Sequence, residues 1–467
     1  MGGTVRRPGS DEGWRVRGRQ WTARGRAGAG LGRRPFAVCA SVAFVLGLGG
    51  LPPGQAAVAA EAAGSVRSIG DAGDYGFAED ARRIDGAAST ADAVELVPGR
   101  TYRSTLPPSG KVYYRLELDG TTNTYASATA APPAGRDTSV IDGLKMSVQD
   151  GDGRSCDADT ATFGAGGSPH PVAVWAVREI SPRRSLCKDA GTYYVTVERA
   201  DPDGKNSSPV PWELELTTVS EPALENSGPT KAPEEWNSAS PQPVAGEPER
   251  RPGGAGFARA TSLGHGVWRD DIRPGQTLFY KVPVDWGRQL HATAELGSAS
   301  SAGKGYVAAA LDLDLYNPVR AHVEDVGVGY DGGQKSKSLA PVPPVEYVNR
   351  HAAGRQVSTM RFAGSYYLVA HLSAEVADDF GDGPVPLTLR VGLSGAAQDG
   401  PGYAGRPVPA DVFTVTGEGR GTAAQGGGTA GDDAAYRALA VGGIGTGSAL
   451  LAGLGVWALV ARRRARP

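Results

Sequence analysis

The chain has 467 residues, enough for two or three domains of ordinary size. Its 68 Gly and 34 Pro exceed ordinary usage without reaching a collagen-like or wholly disordered composition, and 40% hydrophobic residues leave enough apolar surface for packed cores. The net charge of −2 hides an asymmetry, because residues 1–62 carry nine Arg against Asp11, Glu12 and Glu61; the remainder is acidic, which excludes nucleic acid as a partner.

The Arg-rich lead is followed by an apolar run, Phe36 to Leu51, and then by Ala57-Val58-Ala59 and Ala60-Glu61-Ala62, both of A-x-A type. This order of basic region, short apolar stretch and small residues predicts an export signal over 1–62. Arg33-Arg34 partly matches a twin-arginine signal, and Cys39 has no lipobox before it. Residues 63–91 are read as an N-terminal lead.

The interior carries a diverged repeat. Leu106-Pro107-Pro108-Ser109-Gly110-Lys111-Val112-Tyr113-Tyr114 aligns with Ile272-Arg273-Pro274-Gly275-Gln276-Thr277-Leu278-Phe279-Tyr280 at an offset of 166, which also carries Tyr125–Ala128 onto His291–Ala294. Ala190-Gly191-Thr192-Tyr193-Tyr194-Val195 aligns with Ala363-Gly364-Ser365-Tyr366-Tyr367-Leu368. Pro209-Val210-Pro211 aligns with Pro384-Val385-Pro386, where the offset reaches 175. Each block reads as strand, rich in β-branched and aromatic residues and entered from Pro/Gly turns. In the run Leu311–Leu315, three Leu alternate with Asp312 and Asp314. The prediction is a mainly β protein with two antiparallel β-sandwich domains, at 92–219 and 256–393. Residues 220–255, rich in Pro, Ser and Glu, are expected to form an extended linker, and 394–437 a flexible juxtamembrane spacer.

The order PGQ-x-x-x-Y-x-V, LDLDLYNP and AGSYYL-V resembles the bacterial pre-peptidase C-terminal (PPC) domain, and the second copy is similar to regions of actinobacterial exported membrane proteins. The resemblance covers about residues 92–219 and 256–393 and implies jelly-roll-like sandwiches. Its motifs are structural, and the chain has neither an attached peptidase nor a von Willebrand A metal signature.

Ala438 to Ala461 are 24 consecutive uncharged residues followed by Arg462-Arg463-Arg464-Ala465-Arg466. A helix of that length spans about 36 Å, enough for a hydrocarbon core of about 30 Å. The cationic flank predicts a single-pass transmembrane helix, 438–461, with a basic cytoplasmic tail, 462–467, and the preceding domains outside. An LPxTG-like sorting peptide is lacking, and Gly443-x-x-x-Gly447 would let two such helices approach.

Chemistry-bearing patterns are sparse. Cys39 falls in the export signal, and Cys156 and Cys187 remain in the first copy without C-x-x-C spacing, which predicts a disulfide rather than a redox pair. Asp150, Asp152, Asp157 and Asp159 crowd one loop, but only Asp150-Gly151-Asp152-Gly153 matches half of a calcium loop, and the stretch is read as a solvated acidic turn. His170, His265, His291, His322, His351 and His371 fall in no metal pair, and no G-x-S-x-G occurs. Asp312 and Asp314 share a strand face, but the first copy has Lys145 and Ser147 there, which argues against paired catalytic carboxylates. Trp212, Trp268 and Trp286 are candidates for a binding face, with core packing as the alternative for each.

The sequence therefore predicts a membrane-anchored extracytoplasmic protein that binds rather than catalyses, with no catalytic, metal or cofactor residues. Expected partners are envelope or secreted proteins, or cell-wall polysaccharide, with the bilayer engaged through the C-terminal helix. The alternatives are a structural spacer or assembly factor for an exported complex, and a hydrolase whose site is assembled from scattered residues.

Overall fold

A computed structural model describes residues 75–425, apart from 134–138, 165–166, 182–183, 202–208 and 302. The expected export signal, transmembrane helix and basic tail lie outside these residues, and no helix among the described residues is long and apolar enough to cross a membrane.

Period-two patterning sets the strands. In KVYYRLEL, Val112, Tyr114, Leu116 and Leu118 are buried while the residues between them face outward. The first copy contains β1 (Arg82–Arg83), β2 (Val94–Glu95), β3 (Thr101–Leu106), β4 (Lys111–Leu118) and β5 (Asn123–Ala131). It continues with β6 (Gly143–Gln149), β7 (Ser155–Thr162), β8 (Val172–Arg178), β9 (Gly191–Arg199) and β10 (Trp212–Glu221). One sheet has the order β1-β3-β10-β5-β8 and the other β2-β4-β9-β6-β7. The chain crosses repeatedly between the two, as in a jelly roll. The core between the sheets includes Leu106, Tyr114, Leu144, Val174, Val195 and Leu214.

The second copy repeats this plan. It runs through β11 (Glu249–Arg250), β12 (Thr261–Ser262), β13 (Gly266–Ile272), β14 (Thr277–Val284) and β15 (Gln289–Leu296). Then come β16 (Val307–Tyr316), β17 (His322–Tyr330), β18 (Lys335–Ser338), α1 (Arg355–Thr359), β19 (Gly364–Leu372), α2 (Val376–Phe380) and β20 (Val385–Ser394). Its sheets have the orders β11-β13-β20-β15-β18 and β12-β14-β19-β16-β17, strand for strand those of the first copy. Leu106 faces Trp212 across β3–β10, and Ile272 faces Val385 across β13–β20. Trp212 therefore corresponds to Val385, and the Pro-Val-Pro match at 175 is two residues out of structural register.

The two sandwiches pack face to face. The outer face of β10, β5 and β8 presents Tyr125, Trp175, Val177 and Val219, which form one cluster with Val319, Ala321, Phe362 and Phe413. A second cluster joins Tyr75 and Ala173 to Phe257, Phe279, Tyr316 and Val369. Between them lie buried ion pairs, Arg320 to Glu215 at 2.7 Å and Arg350 to Glu221 at 2.6 Å. Arg350, Arg361 and Phe362 belong to residues 339–363, between β18 and β19, where the first copy has only 179–190. The longer connection grips sandwich 1 together with the β16–β17 turn, which carries Val319, Arg320 and Ala321.

The segments around the sandwiches differ from their expected flexibility. Within the expected lead, the backbone of Ala78 donates to Glu215 and β1 pairs with β3. The expected linker is held against sandwich 2, because Gln289 donates to the Asn237 carbonyl and Arg390 to the Val244 carbonyl. In the expected juxtamembrane spacer, Leu224 pairs with Tyr403, Ser220 with Val408, and Phe413 enters the inter-sandwich cluster. The spacer then ends, among the described residues, in α3 (Gly417–Gln425), whose Arg420 meets Asp285 at 2.7 Å. Buried aromatic and backbone contacts outweigh the coil-like composition of these stretches.

Candidate functional site

Four sheet faces point away from the two cores, and the repeat allows them to be compared position by position. On the docked face of sandwich 1, Tyr125, Trp175 and Val219 are buried. Strand pairing places His291, Ser338 and Gly392 at the same three positions of sandwich 2. On the docked face of sandwich 2, Phe279, Tyr316 and Val369 are buried, and the first copy has Tyr113, Gln149 and Thr196 there. The two docked faces are thus apolar where the two outermost faces are mainly polar or bare.

The outermost face of sandwich 2, on β20 and β15, is the more structured of these two. Residues 237–244 cross it as a strap and, with the sheet, enclose a cleft of about 750 Å³. Gly392 makes room for the strap, since a Cβ there would sit 3.3 Å from the Val244 side chain. The floor carries His291, Thr293, Glu295 and Arg390. Thr293 and Ser338 share a 2.7 Å hydrogen bond, and His291 Nε2 lies 3.0 Å from the Ser394 hydroxyl. Burial holds His291 below the usual imidazole range, so its ring is neutral near pH 7. His265 Nδ1 accepts from the Leu393 amide, which leaves the proton on Nε2. Glu295 is paired with Arg390 and is not free for acid–base work. The cleft therefore combines hydroxyls, imidazoles and one compensated charge pair on its floor with apolar groups of Pro241, Pro243, Val244 and Leu339, an assembly suited to a ligand with both polar and apolar groups.

The other candidates fall elsewhere. Trp212 is fully buried in the first core with Arg199 3.2 Å over its ring, and Trp268 is buried against Arg251 at 4.6 Å. Trp286 alone of the three is half-exposed, in the turn between β14 and β15. Cys156 and Cys187 form the expected disulfide, with Cα atoms 5.8 Å apart. Asp150 accepts from the amides of Asp152 and Arg154 and pairs with the Arg154 guanidinium at 2.8 Å, while Asp152 pairs with the same guanidinium. Asp157 and Asp159 instead accept from the Val177 and Trp175 amides, tying the edge of β7 to that of β8. No metal-binding group of three or more His, Cys, Asp or Glu occurs among the described residues.

Asp312 and Asp314 lie on the face of β16 turned from the core, as their alternation with Leu311, Leu313 and Leu315 predicts. Burial, then the charges of Asp314 and Asp325, push the Asp312 carboxyl up to about 6. His322 pairs with Asp314 at 3.2 Å. His371 sits at the seam between the sandwiches, stacked on His170 at 4.5 Å. Its ring nitrogens meet the hydroxyls of Thr277 and Ser168, each at 3.0 Å. Ser168 is itself buried and accepts from the Ala374 amide, so this Ser–His contact joins the domains rather than presenting a nucleophile. The cleft was missed in the sequence because its roof comes from a segment with linker composition.

No family model matches the chain, and no curated protein matches it. Among solved structures it is similar to the tandem CBM22 domain of Xyn10C from Paenibacillus barcinonensis, at 9% identity, covering 61% of this chain and 82% of that one with a TM-score of 0.17. The tandem CBM51 modules of Sp3GH98 from Streptococcus pneumoniae give 8% identity over 63% of this chain and 83% of theirs, TM-score 0.17. The CUB1-EGF-CUB2 domain of human MASP-1/3 gives 10% identity over 62% and 99%, TM-score 0.14. At these scores the likenesses transfer no property of those proteins to this chain.

Proposed function

We propose that the protein is a non-catalytic binding protein of the cell envelope, exported, held by the 438–461 helix, and presenting its two sandwiches outside. The ligand class that best suits the cleft is an extended, hydroxyl-rich polymer such as cell-wall polysaccharide. One observation carries this reading: at positions where the docked faces bear Tyr, Trp and Val, the cleft face bears His, Ser and Gly. A floor of polar side chains roofed by a strap that adds Pro241, Pro243 and Val244 suits a ligand that carries both hydroxyls and apolar ring faces. The uncharged run 438–461 with its cationic flank supports the anchor, and the A-x-A segments after Phe36–Leu51 support export.

Sedimentation with protein-stripped sacculi from the native host tests this. The intact protein is expected to co-sediment saturably, and His291→Ala with Arg390→Ala to weaken binding at least tenfold while leaving the melting temperature within a few degrees. Absence of co-sedimentation by the intact protein overturns it. The assembly-factor reading rests on the seam, which makes one block of two domains, and predicts a stable protein partner on extraction from membranes in detergent.

A further inference from the structure

The turn between β14 and β15 corresponds to that between β4 and β5, with Asp119-Gly120 at the positions of Asp285-Trp286. The jelly roll closes this turn with Gly120 in one copy, so the fold itself does not require an indole in the other. Trp286 is partly buried against the core of sandwich 2 and lines two hollows, of about 420 Å³ and 290 Å³. The larger contains a second partly buried ring, Tyr347, which meets the Arg350 guanidinium 3.6 Å over its face and the Tyr403 ring at 6.3 Å. Asn226, Glu346, Gln398 and Asp399 also line it. At Gly400 a Cβ would lie 2.4 Å from Trp286 Nε1, so only glycine lets the chain pack this closely against the indole edge.

An aromatic face flanked by carboxylate and amide oxygens fits one chemical class well. A pyranose ring has an apolar C–H face that packs on an aromatic ring and equatorial hydroxyls that donate to the oxygens around it. We propose that the Trp286 hollow is a saccharide-binding site, separate from the strap-covered cleft and taking one or two sugar units of the same polymer. This rests on the reading of the protein as a polysaccharide binder. Residues 224–229 line the hollow and 237–244 roof the cleft, so one connecting segment serves both.

The test uses the full-length protein, the same sacculi, and soluble glycan fragments released from them by lysozyme. Trp286→Gly, which restores the residue of the first copy, is expected to weaken fragment binding at least tenfold, and Trp286→Phe several-fold. Residues 395–425 should remain protected from protease in the Phe variant, which separates loss of the ring from loosening of the segment beside it. If the intact protein binds sacculi and both variants bind fragments within twofold of it, the Trp286 site is overturned while the general reading stands. If the intact protein binds neither, both fall.

Discussion

The Glu221 carboxylate, at the end of β10 in sandwich 1, meets the Arg350 guanidinium of sandwich 2 at 2.6 Å, with 0% and 5% of their side chains exposed. Glu221 also accepts from Tyr125, Tyr403 and Asn123, so residues from three separated parts of the chain converge on one buried charge. Burial alone would raise its protonation range, and Arg350 above all holds it below the usual carboxylate value.

Removing one partner of such a pair leaves an uncompensated buried charge. Arg350→Leu is expected to cost about 3–5 kcal/mol in urea unfolding, and the double variant with Glu221→Leu to recover part of it. A loss below about 1 kcal/mol for the single variant would show that water reaches the seam.

The disulfide links β7 to the β8–β9 connection across 31 residues. Cys156→Ser with Cys187→Ser is expected to destabilise by about 3–4 kcal/mol in the chain-entropy picture. Calorimetry with and without reductant checks this. Because the second copy folds without a counterpart, the loss should weaken the protein without abolishing its fold.

The seam histidines give a pH dependence of definite sign. Burial, then the neighbouring His170, holds His371 well below the usual imidazole range, and burial holds His170 down as well. The unfolded chain then binds more protons than the native one, so this contribution lowers stability as pH falls below about 6.5. Asp312, raised to about 6, acts oppositely between about 6 and 4, and His322, raised by its bond to Asp314 against the effect of burial, also favours the native state in acid. His371→Asn is therefore expected to be less stable at pH 8 but to lose less on acidification to pH 5.5. Equal slopes in the two proteins would place the acid response elsewhere.

The strap over the cleft is held by few bonds, chiefly those from Gln289 and Arg390 to its carbonyls. Arg390→Ala with Gln289→Ala is expected to speed proteolysis within 237–248 several-fold, read by mass spectrometry of early fragments, with the sandwiches left intact. An unchanged cleavage pattern would mean that the strap is retained by its prolines and Val244 alone.

Much of the architecture was legible in the residues themselves. Alternation in KVYYRLEL and in Leu311–Leu315 fixes which side chains face a core, and the repeat at 166 makes the second sandwich a copy of the first. Cys156 and Cys187 pair by elimination, as the structure bears out. The candidate site was legible only in fragments. His291 read as a sheet-face residue, but the strap above it looked like a spacer, because Pro, Ser and Gln in a linker carry no periodic signal that they will lie on a sheet.

Local period and composition already dictate the strands, their inward faces, the doubling of the domain and the disulfide. Packing in three dimensions is needed to see that the sandwiches adhere, which two of four outward faces become buried, and that Trp212 and Trp268 fill cores while Trp286 is only partly buried. These outcomes depend on contacts between residues more than a hundred positions apart, such as Glu221 with Arg350 and Tyr125 with Phe362. Alternation says which way a side chain points, but not what will be placed against it.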